Sequence, residues 1–220
     1  MTKEICIAVL CFSACSFAQE PTTSPTASPT PSRFVRISFV SPPLEGKISL
    51  GIYDENNQLV RVLHQEGDLD DFTVGADALL TKWDGKDDFG YDLWPGTYHG
   101  RGFLVAPMKI EEIISGETVM PAEAQPIKVR LIANPLEKNE RPTVQLAGGI
   151  DDEDALLKTV DGLPLLTVIQ APDLKRVMLT SDPEGKNFMM FIETGETTRR
   201  FSINGLSKMM AFDCGKFELK

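Results

Sequence analysis

The sequence predicts an all-β protein, a β-sandwich followed by a second β-rich meander that is either a partial propeller or a small sandwich. Short apolar segments recur with every second residue polar, the period of a strand with one buried face. Pairs and clusters of Gly, Pro, Asn and Asp break these segments at the spacing of turns in all-β domains. The third observation is the run Trp83 to Tyr98, in which two aromatic anchors bracket a dense set of turn residues.

The chain begins with a segment that reads as targeting rather than fold. Residues 1–18 are expected to be a cleaved signal peptide. Lys3 is an early basic side chain, and Ile5 to Phe17 form an apolar run too short to span a bilayer. Ser16 and Ala18 place small residues before Gln19, where cleavage is expected. Phe12-Ser13-Ala14-Cys15 carries the rival reading, a lipoprotein signal anchored through Cys15. Residues 19–32 form a Pro/Thr/Ser tract with no core-forming side chain, expected to be a disordered linker. Both segments point to a secreted, periplasmic or cell-surface protein, and no later segment is long and apolar enough for a membrane span. Cys6, Cys11 and Cys15 fall inside the signal, so Cys214 is left without a partner for an intramolecular disulfide.

Residues 33–107 carry the clearest hairpins. Ile48, Leu50 and Ile52 alternate with Ser49, Gly51 and Tyr53; Asp54-Glu55-Asn56-Asn57 then supplies turn chemistry, and Gln58 to Leu63 gives the return strand. A further strand, Leu79 to Trp83, is broken off by Asp84-Gly85. Pro95-Gly96 fits the centre of a type II turn, after which Tyr98 opens a strand to Val105. Gly100 and Gly102 share the face of Tyr98 and are expected to leave room for Trp83; His99, on the other face, is expected to meet solvent. Since hairpins, turns and anchors are local, this span is expected to fold without the rest.

The spacing W-D-G-x-D-x-x-G-x-x-L-x-x-G-x-Y is filled by Trp83, Asp84, Gly85, Asp87, Gly90, Leu93, Gly96 and Tyr98. It resembles the Ig-like domain family named after the flagellar hook-capping protein (FlgD-like). Ile52-Tyr53-Asp54 and Leu59 to Leu63 stand where that family carries its I-Y-D and L-V-R-x-L strands. The resemblance implies an Ig-like sandwich over residues 33–107 with those eight residues as its structural motif. A fold of this kind hosts many functions. Hook capping itself sits badly with residues 1–18, because flagellar export does not use a cleaved signal of that kind.

Residues 108–125 read as a linker, and 126–220 as the second β-rich region, with strands expected at 128–132, 155–160, 165–169, 175–179, 188–192, 198–203, 208–212 and 216–219. Thr167 to Glu218 reads as one meandering blade. It weakly resembles N-terminal propeller blades that follow FlgD-like Ig domains in large secreted bacterial proteins. Blades take roughly 40–50 residues and a closed propeller needs about four or more, so a propeller would have to be truncated.

The net charge of -10 argues against nucleic acid as a partner. Asp84, Asp87, Asp88 and Asp92 could offer oxygens to calcium, but turn aspartates bonding their own backbone explain the same residues without a metal. Asp68, Asp70 and Asp71, with Asp151, Asp152, Glu153 and Asp154, read as solvated loop charge rather than a facing glycosidase pair. His64 and His99 are the two histidines, and no zinc, P-loop or nucleophile-elbow motif accompanies them. We therefore expect no catalytic residue, no metal and no cofactor. The expected function is that of a non-catalytic exported bacterial protein with structural, surface-binding or assembly roles, its partner an unknown protein or a cell-surface glycan. The alternative is an N-terminal fragment or subunit of a larger secreted propeller enzyme acting on polysaccharide.

Overall fold

The computed structural model describes residues 33–114, 118–123, 125–138, 141–195 and 197–220. The signal peptide expected at 1–18, its alternative at Cys15 and the linker expected at 19–32 lie outside the described residues. Among the described residues no helix is long and apolar enough to cross a membrane.

Residues 33–220 fold as one unit that is all-β and built from two sandwiches. The chain runs through β1 (Val35–Phe39), β2 (Lys47–Tyr53), β3 (Leu59–Gly67), β4 (Thr73–Val74), β5 (Leu79–Trp83) and β6 (Gly96–Val105). It then forms β7 (Lys109–Glu112), β8 (Ile127–Arg130), β9 (Thr143–Asp151), β10 (Asp154–Thr159) and β11 (Pro164–Gln170). The last strands are β12 (Leu174–Ser181), β13 (Phe188–Thr194), β14 (Thr197–Asn204) and β15 (Met209–Leu219). In the first sandwich a sheet of order β1-β5-β4 faces one of order β15-β6-β2-β3; in the second, β11-β10-β9-β8 faces β12-β13-β14-β7.

The first core has two adjoining parts. Phe39, Ile48, Leu50, Phe72, Leu79, Leu104 and Phe212 fill one, with the Phe39 and Phe212 rings stacked at 4.5 Å. Ile37, Ile52, Trp83, Tyr98 and Leu219 fill the other, where Trp83 is 0 % exposed and meets Tyr98 edge-on at 5.0 Å. Both indoles and phenols must satisfy a polar atom when buried. Trp83 Nε1 donates to the Lys86 carbonyl at 2.8 Å, and the Tyr98 hydroxyl donates to the Trp94 carbonyl at 2.8 Å.

The second core draws on both of its sheets, including Leu146, Ala155, Leu157, Leu165, Leu179, Met190, Ile192 and Ile203. Close approach of those sheets requires a glycine. A Cβ at Gly148 would lie 2.7 Å from the Val177 side chain and 3.1 Å from its backbone. Of the two architectures expected for this half, the small sandwich is the one formed. Thr167–Glu218 is not one blade, since Thr167 lies in β11, the following strands belong to the facing sheet, and β15 leaves for the first sandwich.

β15 is the departure from the sequence reading with the largest consequences. It pairs antiparallel with β6 from Met209↔Val105 to Leu219↔Gly96, so the C-terminal strand completes the sheet begun by residues 47–105. The two strands expected at 208–212 and 216–219 are one strand with a bulge at Cys214, where Gly215 takes a positive φ of 76°. The space above Gly100 and Gly102 is taken by this strand rather than by Trp83. A Cβ at Gly102 would sit 2.4 Å from the Phe212 ring and 2.6 Å from the Ser49 carbonyl oxygen. Pro95-Gly96 also departs from expectation: Gly96 is absent from the positive-φ residues and begins β6 instead of closing a type II turn. The span read as a linker contains β7, which pairs with β14.

The outer face of the β15-β6-β2-β3 sheet is covered by the second sandwich. β6 points Tyr98 and Leu104 into the first core, while Phe103 and Val105 on its other face pack against the second. The Glu66 carboxylate, on a residue with φ 49°, accepts bonds from the Thr167 amide at 2.9 Å and the Thr167 hydroxyl at 2.6 Å, tying β3 to β11. Independent folding of residues 33–107 is therefore not supported by the packing. Chain ending at Ser207 lacks Phe212, Phe217 and Leu219 and leaves β6 an open edge. Such a truncation is expected to lose the cooperative thermal transition and the near-UV signal of Trp83; a cooperative melt retained without β15 would contradict this.

Candidate functional site

Two surfaces qualify as candidates, the loop of the Trp83–Tyr98 motif and a cleft between the sandwiches.

The motif loop joins β5 to β6 and is held by its own polar residues. Asp84 Oδ1 accepts from the Lys86 amide at 3.1 Å. Asp87 Oδ1 accepts from the amides of Phe89 at 3.0 Å and Tyr91 at 2.8 Å. The backbone closes the same turn, with the Asp87 amide donating to the Tyr91 carbonyl and the Gly90 amide to the Asp87 carbonyl. Gly85 and Gly90 adopt φ of 76° and 84°, and the Leu93 amide returns to the Gly85 carbonyl at 2.9 Å. The loop is also docked sideways onto β3. Arg61 donates to the Asp87 carbonyl at 2.6 Å, and the Asp88 carboxylate accepts from the Val62 amide at 2.9 Å, occupying a donor of that edge strand. The motif residues thus act as turn and anchor: Trp83 and Tyr98 in the core, Leu93 partly buried against it, Gly85 beneath Leu219. Of the aspartates considered for calcium, Asp84, Asp87 and Asp88 spend oxygens on backbone amides, and Asp92 pairs with Lys86 at 3.2 Å. Among the described residues no group of three or more His, Cys, Asp or Glu is placed to hold a metal.

What the sequence reading missed is the side chains that this loop displays. Phe89 is 86 % exposed, Tyr91 71 % and Trp94 85 %, all at unspecified positions of the motif. None of the three makes a side-chain hydrogen bond or ring contact among the described residues. The available signal was the residue type itself, since turn loops are ordinarily built from polar residues.

The cleft, of about 520 Å³, lies between the outer face of the β15-β6-β2-β3 sheet and the β9–β10 side of the second sandwich. Its charged wall is Arg101, whose guanidinium lies 3.8 Å over the Tyr53 ring and 3.5 Å from the Asp161 carboxylate. Asp161 also accepts from the Thr159 hydroxyl. Burial, reinforced by the Asp161 charge, pushes the Tyr53 hydroxyl well above the ordinary tyrosine range, so it stays protonated. Glu137 accepts from the Asp213 amide at 2.7 Å, and Asp213 bonds His99 Nε2 at 2.8 Å. His99 is thus half-buried and paired, not facing solvent as its alternation with Tyr98 predicts, because Asp213 of β15 lies against it.

The remaining titratable groups have structural partners too. His64 bonds the Thr81 hydroxyl at 2.7 Å and lies 4.3 Å from the Phe72 ring. Burial lowers its pKa below the ordinary 6.5. Cys214 sits between the two parts of the first core, and burial, with Asp213 and Glu137 nearby, pushes its thiol up to about 12. A thiol so raised is a poor nucleophile near neutral pH. Asp151 to Asp154 form the β9–β10 turn, with Asp152 at φ 47°; Asp68 and Asp71 close a single 3-10 turn through the Asp68 amide.

No protein-family model matches the chain, and comparison with curated proteins and with solved structures gave no match.

Two outcomes follow from these environments. Trp83→Ala is expected to destabilise the protein by roughly 3–5 kcal/mol through the cavity left in the first core, measured by urea denaturation; a loss under about 1 kcal/mol would show that the indole is not the anchor. For His64, the native state disfavours the proton that the unfolded chain accepts near pH 6.5. Its contribution is complete above that pH and drains away as pH falls below it. Urea midpoints between about pH 6.5 and 5 should fall more steeply for the wild type than for His64→Gln; equal slopes would refute the assignment.

Proposed function

We propose that the chain is a non-catalytic exported bacterial protein, an FlgD-like Ig module carried with a second sandwich, acting by binding at a cell surface or within an assembly. The observation that carries this reading is the motif loop, where Phe89, Tyr91 and Trp94 stand in solvent on a backbone fixed by its own hydrogen bonds. Large exposed apolar side chains grouped in one place mark interaction sites on soluble proteins. Rigid aromatic side chains bind at little entropic cost, and a fixed backbone lowers it further.

The chemistry of the other candidate residues supports binding over turnover. Nucleophilic catalysis needs an activated nucleophile with a neighbouring base and an orienting third group. Cys214 is held as a thiol, His64 and His99 are occupied by Thr81 and Asp213, and Asp161 is occupied by Thr159 and Arg101. Purified protein incubated with polysaccharides, esters and peptides should release no product, while isolated cell-envelope fragments should retain it. Turnover that disappears in a folded Asp161→Asn or Asp213→Asn variant would overturn the reading.

A further inference from the structure

We infer that Phe89, Tyr91 and Trp94 form a binding platform for neutral polysaccharide, the rings stacking on the apolar faces of successive sugar units. This rests on the reading of the protein as a binding module and names the ligand class of its motif loop.

The loop lets several classes of ligand be set aside on physical grounds. Four aspartates, Asp84, Asp87, Asp88 and Asp92, lie among the rings, and the nearby cations Arg61, Lys86 and Arg33 are already engaged, Arg61 with the Asp87 carbonyl and the Asp88 carboxylate. Lys86 pairs with Asp92 at 3.2 Å and donates to the Gly90 carbonyl; Arg33 donates to the carbonyls of Leu93 and Lys220. With the chain's net charge of -10, the surface repels nucleic acid, anionic lipid and acidic glycans. Insertion into a bilayer would carry Asp88 and Asp92 toward the hydrocarbon, a costly transfer for charged carboxylates. A protein interface draws on roughly 800 Å² per partner and a core depleted of charge, whereas here carboxylates alternate with the rings along a short turn.

A neutral polysaccharide fits what is left. A pyranose ring presents a face of C–H groups to an aromatic ring and a rim of hydroxyls that donate hydrogen bonds. The loop offers both partners: three rings spaced at residues 89, 91 and 94, and partly exposed carboxylate oxygens on Asp88 and Asp92 beside them. The backbone that carries the rings is fixed before binding, because Asp87 holds the amides on both sides of Gly90, and the Tyr98 hydroxyl holds the Trp94 carbonyl. These anchoring bonds all use main-chain atoms of the ring-bearing residues. Truncating the rings to alanine therefore leaves the scaffold intact.

The test is affinity electrophoresis and pull-down of the full chain on cellulose, xylan, mannan and mixed-linkage β-glucan. Polygalacturonate, phosphatidylcholine vesicles, and envelope fragments with and without protease treatment serve as the other arms. Retention on at least one neutral polysaccharide is expected, weakened about tenfold or more by Trp94→Ala and by Tyr91→Ala at an unchanged melting temperature. Equal retention of wild type and variants would overturn the platform. Retention only on vesicles, on polygalacturonate or on protease-sensitive envelope would overturn the polysaccharide assignment while leaving the protein a binding module. Retention by none of the arms would overturn both readings.

Discussion

The pairing of β15 with β6 is the contact on which the rest of the structure depends. β15 places Phe212 and Leu219 in the first core, while Met209 on its opposite face belongs to the second. A strand covered on both sides reads as a continuous apolar run, and Met209-Met210-Ala211-Phe212 is such a run. Its two methionines are both buried for that reason. The pairing is also the longest-range strand pairing among the described residues, and the entropic cost of closing its loop must be met before the contact rewards it. Folding that waits for this closure belongs to the slow, non-local class.

The same pairing explains why the two sandwiches are not independent beads. The sheet that β15 completes is the surface on which the second sandwich rests, and Glu66 reaches across to Thr167 from a backbone turned into the left-handed region. Arg101 and Tyr53 occupy the margin of that contact. The cleft they line is accordingly a seam whose polar groups are committed to one another. The motif loop has its polar groups engaged as well, through Asp87 and the Lys86–Asp92 pair, but leaves its three rings in solvent. Within this one segment the backbone and the buried anchors belong to the fold, while the rings at 89, 91 and 94 take no part in the core.

Much of this was legible in the sequence, because the signals involved are local. β2, β3, β5 and β6 follow two-residue alternation, and the turns at Asp84-Gly85, Asp161-Gly162 and Asn204-Gly205 place glycines at positive φ. β9 escaped detection because Gly148-Gly149 interrupts its pattern, and Gly148 is there to admit Val177 of a strand far along the chain. The strands expected at 208–212 and 216–219 are one strand, with a bulge between Asp213 and Gly215 that periodicity does not express. The domain boundary failed for the same reason, as a strand's partner is a long-range choice that periodicity cannot express. In the candidate site, the eight motif residues announced the scaffold, while Phe89, Tyr91 and Trp94 carry no periodic signal and become meaningful only when their exposure is seen.

The central claim is that one cooperative unit is locked by the β6–β15 ladder. Native-state hydrogen exchange followed by mass spectrometry measures it directly, through peptides covering β6, β15 and the β13–β14 hairpin. The account predicts that all three open with the same free energy and the same dependence on denaturant. Protection lost in β15 and β6 at low denaturant while β13 and β14 remain closed would contradict it.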